Sequence, residues 1–184
     1  MRYLKKFSLL AIAAVAVMGF SASSASAGLD YTGPLHATQT TGTLSSGSLS
    51  LTCDLTAEGE ILDAGWPAHG YLHELNFDDC RVSSLPFIIC DVSVQPEEIE
   101  IHATPETDET LHVELEDTLT VTRVCPIVGT CEYTATGTEG IYDEHTNTLV
   151  FQNQPFTGLS GCANATWNAN FAVDEPAELH WDKD

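Results

Sequence analysis

Cys53, Cys80, Cys90, Cys125, Cys131 and Cys162 are the residues whose chemistry is easiest to bound. An even number of widely spaced cysteines reads as a disulfide framework in an exported chain, and as metal ligands or a redox pair in a cytosolic one. No C-x2-C pair is present, and the spacing from Cys125 to Cys131 is too wide for a zinc knuckle. An oxidised cysteine is no nucleophile, so three disulfides are expected. Six cysteines allow about fifteen connectivities, and geometry has to choose among them. Residues facing each other across a hairpin have numbers that sum to twice the turn centre. Cys90 and Cys125 centre on Thr104-Pro-Glu-Thr-Asp108, Cys131 and Cys162 on Asp143-Glu-His-Thr-Asn147, and Cys53 and Cys80 on Trp66-Pro67. The pairing Cys53–Cys80, Cys90–Cys125 and Cys131–Cys162 is therefore favoured. Its odd sums require at least one bulge per hairpin. The rival is a local Cys125–Cys131 loop around Pro126 and Gly129.

The other chemically capable side chains are 7 histidines and 27 carboxylates. His69-Gly-Tyr-Leu-His73 has the i, i+4 spacing of a helical metal site, but Pro67 and Gly70 argue for a turn, which does not put both rings on one face. His102 and His112 would face each other across the hairpin centred on residue 107, with Glu98, Glu100, Glu114 and Glu116 around them. Alternating residues on the wet face of two strands account for the same pattern. No metal ligand set is therefore assigned. Asp78-Asp79 and Asp143-Glu144 lack the Asp-x-Asp-x-Asp-Gly run of a calcium loop, and Glu106-Thr-Asp-Glu109 offers at most a weak surface Ca2+ site. No G-x-S-x-G, S-x-x-K or H-E-x-x-H motif occurs. Paired carboxylates are too numerous to single out a glycosidase-type pair, and no catalytic residue is assigned. Asn164-Ala-Thr166 matches a glycosylation sequon inside an expected strand. Trp66, beside Pro67, is the one aromatic expected to be exposed.

The N-terminus supplies the compartment. Arg2, Lys5 and Lys6 precede an apolar run from Phe7 to Phe20, and small residues lead to Ala25-Ser-Ala27. That is a secretory signal with an A-x-A site, and cleavage is expected between Ala27 and Gly28. The run is about 14 residues, short of the roughly 20 of a spanning helix. With no cysteine beside the site and no apolar C-terminal tail, no membrane anchor is expected after processing. Of six cations, Arg2, Lys5 and Lys6 leave with the signal. Arg81, Arg123 and Lys183 then face all 27 acidic residues, a net charge of about −24. Such a surface repels nucleic acid and anionic headgroups.

The elements that must carry these residues have a period of two. In Leu49-Ser-Leu-Thr-Cys-Asp-Leu-Thr-Ala57 every odd residue is apolar, the signature of a strand with one dry face. Leu111 to Thr122 repeats it with an interruption at Asp117, and Ala165 to Val173 puts Trp167 and Phe171 on the inner side. Weaker strands are expected at Tyr71 to Phe77, Phe87 to Val94, Glu98 to His102, Cys131 to Thr136, Thr138 to Tyr142 and Thr148 to Gln152. Turns are expected at Trp66 to Gly70, Thr104 to Asp108, Asp143 to Asn147 and Pro155 to Gly161. One-faced strands must close on a second layer. The expected fold is an all-β, disulfide-bonded antiparallel β-sandwich, Ig-like or jelly-roll-like, with a small β-barrel as second choice. The expected organisation is a signal at 1–27, a flexible Ser/Thr/Gly lead-in at 28–48 that can contribute an edge strand, and one domain at 49–184 with an acidic tail.

Leu51-Thr-Cys53, Leu75-Asn-Phe-Asp-Asp-Cys80, Cys131-Glu-Tyr with Ala135-Thr-Gly137, Leu149-Val-Phe151 and Cys162-Ala-Asn-Ala-Thr-Trp167, in this order, resemble small secreted proteins of high-GC Gram-positive bacteria. Some of that set are similar to extracellular alkane-oxidation activator proteins. Phe87 follows Ser84-Leu-Pro86 where the alkane-related members would have Leu-Pro-Trp. The resemblance implies a secreted disulfide-bonded β-sandwich and supplies no catalytic residues. The functional expectation is a secreted, non-enzymatic β domain that is structural or binds an extracellular ligand or cell-envelope component. An accessory factor for hydrophobic substrates and a hydrolase using paired carboxylates are the alternatives.

Overall fold

A computed structural model describes residues 28–29, 31–39, 42–176 and 179–182. Residues 1–27, expected to form a signal ending at Ala27, lie outside the described residues. All regular elements within them are strands: β1 (Gly28–Leu29), β2 (Gly33–Gln39), β3 (Gly42–Ser46), β4 (Leu49–Asp63), β5 (Ala68–Val82), β6 (Leu85–Ile89), β7 (Asp91–Gln95), β8 (Ile99–Pro105), β9 (Thr110–Leu115), β10 (Leu119–Cys125), β11 (Gly129–Ala135), β12 (Thr138–Asp143), β13 (Thr148–Gly158), β14 (Ala165–Glu175) and β15 (Trp181–Asp182). β1 and β15 pair with each other, and the other 13 form one antiparallel sheet.

The ladders of this sheet close on themselves twice. One circuit runs β5–β8–β9–β12–β13–β14–β2–β4 and back to β5. The other runs β5–β7–β10–β11–β13–β14–β3–β4 and back to β5, joined between β5 and β7 by the single pair Phe77–Val92. The four long strands β4, β5, β13 and β14 pass through both circuits, eight short strands divide between them, and β6 hangs from β5 outside both. Eight antiparallel strands enclose a space that side chains alone can fill, so each circuit has its own dry interior. The all-β, disulfide-bonded fold of the sequence reading is thus realised as opposed layers joined edge to edge.

Alternation explains why these segments are strands. Leu51, Cys53, Leu55 and Ala57 point inward on β4, and Trp167, Ala169, Phe171 and Val173 do so on β14. The expected turn at Trp66 to Gly70 is strand from Ala68 onward, where β5 pairs with β8, and four further boundaries depart from the sequence expectation. Leu111 to Thr122 is two strands. Asp117 breaks it by accepting a hydrogen bond from the Glu100 amide at its Oδ2 (2.8 Å), and β9 and β10 then enter different circuits. Phe87 to Val94 divides likewise into β6 and β7 at Cys90. Pro155 to Gly158 is strand rather than turn, because Phe156 is buried and Pro155 lies opposite Thr166. A bulge between Phe151 and Gln154 makes this continuation fit, with Asn153 at φ 53° and its amide donating to Asn168 Oδ1.

The last departure is residues 28–48, which are not a loose lead-in. β2 lies between β4 and β14 and β3 pairs with the same two strands, while Ala37 and Leu44 enter the core. Their few apolar residues give a weak local signal, and long-range ladder bonds fix them instead. The acidic C-terminal segment also joins the fold. Leu29 and Leu179 are buried, Trp181 meets Tyr142 edge-on at 6.3 Å, and the Leu29 amide donates to the Ala64 carbonyl at 2.7 Å. β1 and β15 thereby cover the end of the first circuit.

Candidate functional sites

The three disulfides tie neighbouring ladder ends. Cys53 is bonded to Cys80, Cys90 to Cys125 and Cys131 to Cys162, and the described residues include no free cysteine. Thr52 faces Arg81 and Asp54 faces Asp78, so Asp79 and Cys80 together oppose Cys53 in a bulge, with Asp79 at φ 48°. Asp91 faces Val124, and Cys90 and Cys125 follow directly in the same β7–β10 register, outside the nested β8–β9 hairpin. β11 pairs with the far half of β13, so Cys162 reaches Cys131 from the bend beyond that strand. Three buried or half-buried disulfides place the chain in an oxidising environment.

Most of the exposed large hydrophobics belong to the two segments that the second bridge ties together. Leu85, Phe87 and Ile89 share the outer side of β6, and only Ile88 of that strand turns inward. Val124, Ile127 and Val128 stand at the β10–β11 turn. Six of the seven exposed large hydrophobics among the described residues therefore flank Cys90–Cys125; Phe87 is 77% and Ile127 73% exposed. β6 is bonded to β5 alone, so its outer edge is open. Exposed acids lie on the adjoining strands, Asp79 on β5, Asp91 at the start of β7 and Glu132 within β11. Arg81 Nη2 donates to Asp79 Oδ2 at 2.6 Å, and this hydrogen bond, followed by the Coulomb attraction of the same carboxylate, raises the Arg81 pKa above its ordinary value.

The recesses are of contrasting kinds, and one of them, an open hollow of about 420 Å³, lies over β12 and β13 beside His112, Glu139 and Asp143. Inside the first circuit is an apolar cavity of about 70 Å³, bounded by small residues such as Ala37, Ala57, Ala68 and Ala103 and closed near Leu29 and Leu179. On the surface, β5 and β7 diverge beyond Phe77–Val92 and leave an open groove of about 510 Å³ lined by His73, Glu74, Asp78 and Glu97.

The histidines sit among carboxylates, but in a different grouping from the expected one. The β8–β9 register puts Thr104, not His102, opposite His112, so those two histidines do not face each other. His112 reaches Glu139, and His73 lies between Glu60 and Glu98. His69 is instead the cross-strand partner of His102, with ring centres 4.2 Å apart. Sequence reasoning missed this pair because it depends on β5 and β8 being neighbours. At the 106–109 turn, Thr107 and Thr110 hydroxyls bond each other at 2.7 Å and Glu109 approaches His145. Trp66, expected to be exposed, is half-buried against the core.

The fold and these surfaces define a disulfide-bonded antiparallel β domain, acidic over its wet faces and apolar at one end. No family model, no curated protein and no solved structure matches the chain.

Proposed function

We propose that this is a secreted, non-enzymatic binding domain that docks through the apolar end formed by Leu85, Phe87, Ile89, Val124, Ile127 and Val128. The supporting observation is the gathering of six exposed large hydrophobics beside one disulfide, on a chain whose formal net charge is −21. Contiguous exposed apolar surface marks an interaction site. The partner is a protein with an apolar face ringed by lysine or arginine. Such a rim complements Asp79, Asp91 and Glu132, whereas a second copy of this chain or an anionic membrane would meet repulsion. The Cys90–Cys125 bridge holds the two apolar segments together before binding, which lowers the ordering cost of association.

The test is NMR shift mapping on the processed protein with a short amphipathic Lys/Leu peptide as probe. Shifts should concentrate at residues 85–89 and 124–128 and disappear in Phe87→Ser/Ile127→Ser, while a Glu/Leu peptide should produce none. Shifts spread over the acidic strands with the apolar end untouched would overturn the reading, as would preferential binding to zwitterionic vesicles or self-association through this end.

A second reading, an accessory factor for hydrophobic substrates, draws on the wholly apolar cavity of the first circuit. At about 70 Å³ it is well below the roughly 300–1,000 Å³ of drug-sized ligand sites. A hydrocarbon chain would enter only if the β1–β15 cover moved. A rise in melting temperature with dodecane, absent after Ala57→Leu, would support it. A carboxylate hydrolase would work in the groove at Glu74, Asp78 and Glu97 or in the recess at Glu139 and Asp143.

A further inference from the structure

We infer that His69, Glu100 and His102 form a site for a borderline divalent transition-metal ion, with zinc as the probe that defines it. His69 on β5 and His102 on β8 are directly opposed, and their rings meet edge-on at 78°. Glu100 is two residues before His102, hence on the same side of β8, and its Oε1 is 3.1 Å from His102 Nε2. One donor atom from each of the three residues lies within 4.8 Å of the other two. Zinc bonds imidazole nitrogen and carboxylate oxygen at roughly 2.0–2.2 Å, so rotamer adjustments of about an ångström would draw three such donors onto one ion.

Three further features separate this cluster from the acidic surface around it. Among the described residues it is the only group of three or more metal-ligating side chains brought this close together, and it is half-buried. His102 has the least exposed side chain of the histidines paired with carboxylates, at 24%. On its other side, His102 Nδ1 is 2.9 Å from Glu116 Oε1. Glu116 is itself anchored, because its amide donates to the Glu100 carbonyl at 3.0 Å. A carboxylate behind a ligating imidazole fixes the ring and strengthens its donor nitrogen, the arrangement that second-shell carboxylates give metal-bound histidine. Two nitrogens and one oxygen select zinc, copper(II) or nickel over calcium and magnesium, which take oxygen ligands. Three protein ligands leave a fourth position for water or a donor from a ligand.

Isothermal titration of the processed protein with zinc chloride, in excess calcium chloride to occupy isolated carboxylates, tests this. One equivalent should bind with a heat that is lost in His69→Ala and in His102→Ala. Glu116→Gln should weaken binding about 10- to 100-fold. His73→Ala and His112→Ala should bind as the parent does, and cobalt should give the visible absorption of a tetrahedral site. Melting curves recorded without metal show whether each variant is folded. The inference is overturned if the parent binds no zinc in calcium, or if binding survives His69→Ala/His102→Ala.

Discussion

Trp167 lies against Phe151 with ring centres 5.0 Å apart and planes within 24°, at the waist where the two strand circuits meet. Phe77, Phe156 and Phe171 surround the same indole at 6.2, 6.3 and 6.5 Å. Trp167 also lines both the cavity of the first circuit and the small void of the second, so it forms part of the partition between the two interiors.

Removing the partition should join the two interiors. Trp167→Ala is expected to cost about 3–5 kcal/mol, the range for deleting a large buried aromatic. Trp167→Phe should cost less than half as much, because it keeps an aromatic ring and removes an indole Nε1 that has no hydrogen-bond partner. Denaturant titration checks the order, and equal losses would contradict the waist role.

The disulfides should differ in value by their burial. They span separations of 27, 35 and 31 residues. Loops of that size are worth roughly 3.5–4 kcal/mol each in the chain-entropy description. Cys53 and Cys80 are also fully enclosed, whereas Cys131 and Cys162 are only half-buried. Cys53→Ala/Cys80→Ala should therefore lower the denaturation midpoint further than Cys131→Ala/Cys162→Ala. The reverse order would show that packing around the first bridge is unimportant.

β4 and β5 approach so closely at one point that only glycine fits. A Cβ on Gly59 would lie 2.1 Å from the Tyr71 carbonyl oxygen, and one on Gly70 2.3 Å from that of Glu60. Both obstacles are backbone, which cannot swing aside. Gly59→Ala and Gly70→Ala should each cost at least the roughly 1–3 kcal/mol of overpacking. A melting temperature equal to the parent's would refute the contact.

Charge repulsion is built into the ladders. Asp54 faces Asp78, Glu58 faces Glu74 and Glu139 faces Glu114. Like charges directly opposite are unfavourable, by up to about 1 kcal/mol a pair, and salt screens them. Thermal stability should rise when sodium chloride goes from about 0.05 to about 0.5 M, where the Debye length falls from roughly 14 to 4 Å. Asp78→Lys should reduce that salt dependence, and calorimetry reads both. A melting temperature that falls with salt would show that net attraction prevails.

What the sequence determined is local. A period of two marks the dry face of each strand whatever its partners, so Leu51, Leu55, Trp167 and Phe171 were legible as core. Hairpin centres favour the bonded cysteine pairs because chain distance from a turn limits which residues can meet. The apolar end was not legible: Leu85-Pro-Phe-Ile-Ile89 is apolar on both faces, a pattern that alternation cannot orient.

Tertiary structure alone decided the partners. Whether β2 is an edge or an interior strand, and where Leu111 to Thr122 divides, depends on ladder bonds to strands far away in the chain, which composition does not record. The same holds for His69 and His102. Thirty-three positions separate them, and they face each other only because closure of the first circuit brings β8 beside β5 in one register. A slip of one residue would turn His102 into the core and Ile101 out to water, and burial of Ile101 and Ile99 forbids it.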